Sequence, residues 1–211
     1  MKRIFITATN TDIGKTYATK LLLQEYAKQG YQVGVIKPIE TGVTLYPLDG
    51  TDLFHLAETL NPALKALNVH DIVPYQFELP AAPLIASGGE PISFKAIDAA
   101  IAKIEQHCDL LLIEGAGGLY VPIDTEHYMI DLITHLQAKT LLITHSGLGC
   151  INDTLLSLKA LENAKIEHRF AINIKNNHED FDTISRPYFD ATFKNYFELE
   201  KDIEALSQSL L

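Results

Sequence analysis

The amino-acid sequence predicts an α/β domain: a doubly wound, mostly parallel sheet flanked by helices. Short runs rich in Ile, Leu and Val alternate along the chain with amphipathic stretches of helical period, the order of a β-α-β fold. Most of these runs are continuously apolar, as expected for strands buried on both faces of a parallel sheet. A length of 211 residues, 47% apolar with no break in composition, suits one core and a single domain over residues 1–211.

The predicted strands cover residues 3–8, 32–37, 109–114, 140–144 and 169–174. The predicted helices cover 15–29, 52–60, 94–106, 128–137, 151–163 and 197–210. Gly30 is placed to close the first helix as its C′ residue, and Ser93 to cap the helix that begins at Phe94. Prolines at 62, 74, 80 and 83, with Pro91 just beyond, mark an irregular connection over 62–90 that is expected to carry specificity rather than core.

Charge narrows the partners. The formal net charge is −10, and an acidic surface repels phosphate backbones and anionic lipid, so neither nucleic acid nor membrane is expected as a partner. Anionic substrates would need local cations and backbone N–H groups. The two cysteines, Cys108 and Cys150, form no Cys-x-x-Cys pair and read as small buried thiols, and the histidines show no zinc-ligand spacing. The apolar run after Met1-Lys2-Arg3 is too short for a signal segment, which predicts a soluble, cytoplasmic protein.

The chemistry concentrates in a few turns. Ala8-Thr9-Asn10-Thr11-Asp12-Ile13-Gly14-Lys15-Thr16 follows the first strand and opens the first helix. Such a loop wraps phosphates in backbone N–H groups at a helix N-terminus. Asp12, Ile13 and Gly14 supply loop backbone, Lys15 reaches the β- and γ-phosphates, and the Thr16 hydroxyl binds Mg²⁺. Lys37 ends the second strand on the same sheet edge, held extended by Pro38, as a second cation. Glu114 ends an apolar strand beside the loop, the arrangement of a Mg²⁺-holding carboxylate. The glycines that follow it let the backbone approach a ligand, placing Ala116 and Gly117 at the nucleotide. Asp52 starts a helix, either as a cap or as a further ligand. Asn173 ends a strand, either as a turn former or as a contact to a nucleotide base.

Four motifs together resemble the dethiobiotin synthetases: the stretch from Thr9 to Thr16, Lys37-Pro38-x-x-Thr41-Gly42, Glu114-Gly115-Ala116-Gly117-Gly118, and Gly147-Leu148-Gly149-Cys150-Ile151-Asn152. The resemblance runs from Lys2 to about Lys175. It implies a P-loop NTPase fold, a homodimer, and an ATP- and Mg²⁺-dependent ligase that joins 7,8-diaminononanoate to CO₂ and closes a ureido ring. It implies Thr16, Asp52 and Glu114 as Mg²⁺ ligands, and Lys15 and Lys37 around the γ-phosphate and a carbamate. Thr11 and Thr41 resemble its hydroxyl contacts, and Asn173 its base contact. The turn Gly149-Cys150-Ile151-Asn152 opens a helix whose N-terminus suits a substrate carboxylate, reached across the dimer according to the resemblance. A plain cap by Asn152 or Asp153 is the simpler alternative there.

Two departures stand out. Ala8 replaces the first glycine of the usual phosphate loop, and the chain after Lys175 matches the family poorly, which weakens the expectation for adenine. A partner-regulated ATPase switch shares the fold, but that class carries a second lysine five residues before the loop lysine, where this chain has Asn10. A cobyrinate-type synthase would need a further glutamine-hydrolysing domain. A nucleotide-sensing module without catalysis is the remaining alternative.

Overall fold

The continuous apolar runs are the strands of one sheet. A computed structural model of the chain describes residues 1–175 and 178–211. Along the chain run β1 (Lys2–Ala8), α1 (Lys15–Lys28), β2 (Val33–Ile36), β3 (Ile39–Thr41), α2 (Leu48–Leu60), α3 (Val69–Ile72), β4 (Tyr75–Phe77), α4 (Pro83–Ala86) and α5 (Phe94–Ile104). They are followed by β5 (Leu110–Gly118), α6 (Met129–Leu136), β6 (Lys139–His145), α7 (Cys150–Asn163), β7 (His168–Asn173), α8 (His178–Asp180), α9 (Arg186–Thr192), β8 (Phe197–Glu198) and α10 (Ile203–Ser209).

Six strands pair in the order β2-β5-β1-β6-β7-β8, each pair parallel. The chain starts in the middle of the sheet and winds outward to both sides, so the carboxyl ends of β1, β2 and β5 share one edge, where α/β sheets bind ligands. The strand residues Ile4, Phe5, Ile6, Leu111, Leu112, Ile113, Leu141 and Leu142 are buried, as continuous apolar strands covered on both faces should be.

One irregularity shapes the edge. Ile6 pairs with Glu114 and Ala8 with Gly118, so two steps along β1 span four along β5. Gly115, Ala116 and Gly117 thus stand against Thr7 alone, and the two residues in excess make β5 bulge out of the ladder beside the phosphate loop. A Cβ on Gly115 would lie 2.7 Å from the Phe5 ring, and one on Gly118 would lie 3.2 Å from the Thr9 carbonyl. Glycine is what lets these two chain segments touch.

Several expectations are corrected. The helix expected from residue 52 begins at Leu48, so Asp52 lies a full turn inside α2. The helix expected over 197–210 is split: Phe197 and Glu198 pair with Ala171 and Ile172 as an edge strand, and α10 begins at Ile203. The Asp202 carboxylate accepts the Glu198 N–H at 2.8 Å, a turn that stops the helix from extending back. Sheet pairing outweighs a helical sequence pattern there. Ser93 occupies the N-cap position of α5 without a side-chain capping bond. Gly30 does close α1 at φ 94°, its N–H bonded to Ala27. The connection over 62–90 has more order than its prolines suggest: a 3₁₀ turn Pro62–Ala66, α3, α4, and β4, which pairs in parallel with β3. That small second sheet sits over the carboxyl edge. The chain between β7 and β8, assigned no element from sequence, holds α8, a wide helical turn Phe181–Ser185, and α9.

Cys108 is half-buried against β2, where a Cβ on Gly34 would meet its Sγ at 2.6 Å, and burial pushes its thiol up to about 12. Cys150 is fully buried.

Candidate active site

A cleft of about 740 Å³ opens over the carboxyl ends of β1, β2 and β5. Its floor is the phosphate loop. Asp12 (φ 59°) and Gly14 (φ 111°) both take left-handed backbone conformations, which turn the chain from β1 into α1. A side chain at Gly14 would run into the Asn173 carboxamide, so glycine is needed here for space as well as for φ. Asn173 donates from Nδ2 to the Ile13 carbonyl at 2.7 Å, and Lys175 donates to the Asp12 carbonyl at 2.9 Å. The end of β7 therefore straps the loop from outside.

At the loop's inner end a cluster of polar side chains meets. Glu114 is fully buried. Its Oε1 accepts from the Thr16 hydroxyl and from Lys37 Nζ, both at 2.8 Å, and its Oε2 accepts from the Thr19 hydroxyl at 2.7 Å. Lys37 also donates to Asp49 Oδ2 at 2.6 Å. Burial alone would push Lys37 down, but Glu114 and Asp49 outweigh it and hold the ammonium well above the usual lysine range. Lys15 is buried too, with Nζ on the Asn10 carbonyl at 3.3 Å. Its desolvation is larger than the pull of Glu114, and Lys37 adds repulsion, so its proton is held less tightly than usual. Two buried ammonium groups and one hydroxyl thus face the same cleft, with a fully buried carboxylate beneath them.

The structure brings together Thr11, Asp12, Gly14, Lys15, Thr16, Lys37, Thr41, Ala116 and Gly117 along the cleft wall, with Glu114 beneath. Ile13 and Asn173 stand behind the loop rather than on the wall. Asp52 is not among the groups in contact: its carboxylate pairs with Lys20 at 2.8 Å and its side chain is 65% exposed. The α2 carboxylate that touches Lys37 is Asp49, one turn earlier on the same helix. Asp49 carries no mark in the sequence because the helix is expected to start at Asp52, whereas it starts at Leu48 directly after Pro47. Glu40 and Thr19 were likewise missed. The wall opposite the loop is Pro80, Ala81, Ala82 and Pro83, from the proline-rich connection.

The turn from β6 into α7 lies apart from this cleft. Gly149 caps α7 at φ 96°, Leu148 beside it is 92% exposed, and the Cys150 N–H closes a turn onto the Gly147 carbonyl. Neither Asn152 nor Asp153 caps the helix: Asn152 donates to Asp153, whose carboxylate pairs with His145.

A family model described as an AAA domain matches residues 2–206. The ATP-dependent dethiobiotin synthetase BioD of Sulfurovum sp. (strain NBC37-1) is 42% identical over 210 residues, spanning all of both chains. The chain belongs to the dethiobiotin synthetase family. The enzyme of the same name from Wolinella succinogenes is 36% identical over 215 residues, covering 100% of this chain and 99% of the relative. That from Helicobacter pylori (strain Shi470) is 39% identical over 195 residues, 89% of this chain and 88% of the relative. Among solved structures, a plasmid partition protein from Borrelia burgdorferi superposes with TM-score 0.57 at 13% identity, covering 99% of this chain and 96% of that one. The MinC:MinD cell division complex of Aquifex aeolicus gives 0.56 at 18% identity, covering 99% and 86%. At such identities the likeness is one of P-loop fold alone. Among the described residues no helix is long and apolar enough to cross a membrane.

Proposed function

We propose that this chain is a single-domain, cytoplasmic enzyme that makes dethiobiotin from 7,8-diaminononanoate, CO₂ and ATP, releasing ADP and phosphate. The observation that carries the reading is the buried cluster in which Glu114 accepts from Thr16 of the phosphate loop and from Lys37 of β2, in a chain alignable end to end with a dethiobiotin synthetase.

One substrate amine captures CO₂ as a carbamate. A carbamate oxygen then attacks the γ-phosphorus, breaking its bond to the ADP oxygen and giving a carbamic-phosphoric anhydride. The second amine attacks the carbonyl carbon, phosphate leaves with the former carbamate oxygen, and the urea ring closes with loss of the amine protons. The obstacle is the approach of one anion to another. Lys15 and Lys37 offset that repulsion as fixed, desolvated charges that need no reorganisation as the transition state forms. The N–H groups of Asp12, Ile13, Gly14, Lys15 and Thr16 hold the phosphates at the start of α1. Thr11 and Thr41 present hydroxyls to substrate and phosphate, Ala116 and Gly117 line the wall, and Asn173 reads the base.

The donor chemistry fits Mg²⁺: a hydroxyl and a buried carboxylate already meet beside a phosphate loop, and such sites complete the ion's shell with water and phosphate oxygens. Thr16 and Glu114 would hold it, with Asp52 as the third ligand once it exchanges Lys20 for the ion. Bound there, Mg²⁺ would neutralise charge on the phosphates. The substrate carboxylate is bound at the start of α7 by Gly149, Cys150, Ile151 and Asn152, across a homodimer interface. Because the Cys150 side chain is buried and its N–H is bonded to the Gly147 carbonyl, the other backbone N–H groups of this first turn are the donors.

The test is ADP release from purified protein with ATP and bicarbonate. Strong dependence on diaminononanoate supports the reading; equal release without it favours an ATPase switch or a nucleotide sensor.

A further inference from the structure

Helix α2 starts without a capping side chain of its own. Its N-cap residue is Pro47, which has no side-chain acceptor, so the first N–H groups of the helix need another partner. Glu40 of β3 supplies it. Its Oε1 accepts the Asp49 N–H at 3.1 Å and its Oε2 the Gly50 N–H at 2.8 Å, so one carboxylate caps the helix from a different strand. The negative charge also sits at the positive end of the helix. Glu40 is buried, and burial, opposed chiefly by Lys37, leaves its carboxyl above the usual range. The contact is tight. A Cβ on Gly50 would lie 3.0 Å from Glu40 Oε2 and would run into Val73, so this residue must be glycine for the helix start to seat on the carboxylate.

The seated residue carries the functional contact. Asp49 holds Lys37 at 2.6 Å, its own carboxyl kept low because Lys37 outweighs the cost of its burial. Lys37 thus lies between two anions, Glu114 on the β5 side and Asp49 on the α2 side. If Asp49 shifts, Glu114 alone aims the ammonium, and Glu114 is shared with Thr16 and Thr19.

We infer that Glu40 and Asp49 form a positioning unit for the Lys37 ammonium: Glu40 fixes the start of α2, and Asp49, carried on it, fixes Lys37. This rests on the role proposed for Lys37 above. Neither acid needs to touch substrate. The pair is a further requirement of the reaction that no sequence motif marks, since Glu40 falls at an unspecified position of Lys37-Pro38-x-x-Thr41-Gly42.

The experiment compares Glu40→Ala, Glu40→Gln, Asp49→Asn and the double variant Glu40→Ala/Asp49→Asn with the intact chain. The expected result is a fall in kcat of about 10–100-fold for Asp49→Asn and about tenfold for Glu40→Ala, with KM for ATP within about threefold, because an aimed charge is lost while the phosphate loop is untouched. The double variant should be no slower than Asp49→Asn alone, since residues acting in series are not additive. Glu40→Gln, which keeps one acceptor oxygen, should recover much of the rate. A second readout needs no turnover: brief acetylation followed by mass spectrometry, scoring Lys37 against exposed Lys103 as internal reference. Lys37 should acetylate at least about fivefold faster in Glu40→Ala and in Asp49→Asn. Faster acetylation with unchanged kcat would mean that the contacts hold Lys37 but that its reaction role is wrong. Unchanged acetylation in folded variants, judged by an unshifted Tm, or in Asp49→Asn alone if Glu40→Ala unfolds, would overturn the positioning unit. So would kcat losses that multiply in the double variant.

Discussion

Two helices of this molecule begin in the same way and end up in opposite surroundings. Both α1 and α7 follow central, neighbouring strands, and both are capped by a left-handed glycine, Gly14 at φ 111° and Gly149 at φ 96°. Around Gly14 the space is full: Asn173 stands where a side chain would go, and the loop carbonyls are tied to Asn173 and Lys175. Around Gly149 nothing lies within 4 Å of an added Cβ, and Leu148 is 92% exposed. A left-handed glycine at a helix start therefore marks a possible anion site, but the packing decides what kind. The α1 start is held by its own chain, as our proposal that it grips a triphosphate requires. The open α7 start suits our proposal that a second subunit completes it.

That contrast is best broken at the α1 start and its partner lysine. Lys15→Ala and Lys37→Ala should each lower kcat by roughly 10²–10⁴-fold with an unchanged circular dichroism spectrum, the scale of lost transition-state charge contacts. Near-normal turnover in either variant removes that lysine from the mechanism.

The glycines sharpen the comparison. Gly14→Val combines backbone strain with a collision against Asn173, so ATP affinity measured by calorimetry should fall by well over tenfold. Gly149→Val meets strain but no collision. It should leave ATP affinity within about threefold and raise KM for diaminononanoate by about tenfold. Equal losses of ATP affinity in both would show that strain rather than packing sets the difference. Mixing Gly149→Val with Lys37→Ala subunits should restore one working site per heterodimer; no recovery with subunit exchange verified would contradict a shared site.

The proposed metal ligands should rank by burial. Glu114, buried and bonded to Thr16, should matter more than Asp52, exposed and on Lys20, so Glu114→Gln should shift the Mg²⁺ titration of activity further than Asp52→Asn does. Asp49→Asn belongs in the same titration: a larger shift than for Asp52→Asn would move the third ligand one turn along α2. The smallest effect concerns Cys108. Its thiol, pushed up to about 12, should react with a thiol reagent at pH 7 far more slowly than free cysteine.

The five predicted strands and most of the helices were legible because burial on two faces leaves a plain apolar signature. Lys15, Thr16, Lys37 and Glu114 were legible because each ends or follows such a strand. What escaped depends on contacts distant in sequence. Asp49 matters through Lys37, twelve residues away, and Glu40 through the N–H groups of a helix whose own cap is a proline. Strand β8 exists because β7 offers it an edge, which no local periodicity records.

The most direct test of the whole account follows one oxygen atom. Freshly added ¹⁸O-labelled bicarbonate supplies CO₂ to the enzyme with ATP and diaminononanoate, and the released phosphate is weighed by mass spectrometry at short times. The account predicts one ¹⁸O transferred into phosphate for each dethiobiotin formed, because the carbamate oxygen attacks the γ-phosphorus and leaves with it. Phosphate carrying oxygen from solvent alone would mean that water attacks ATP, and the carbamate mechanism would be wrong.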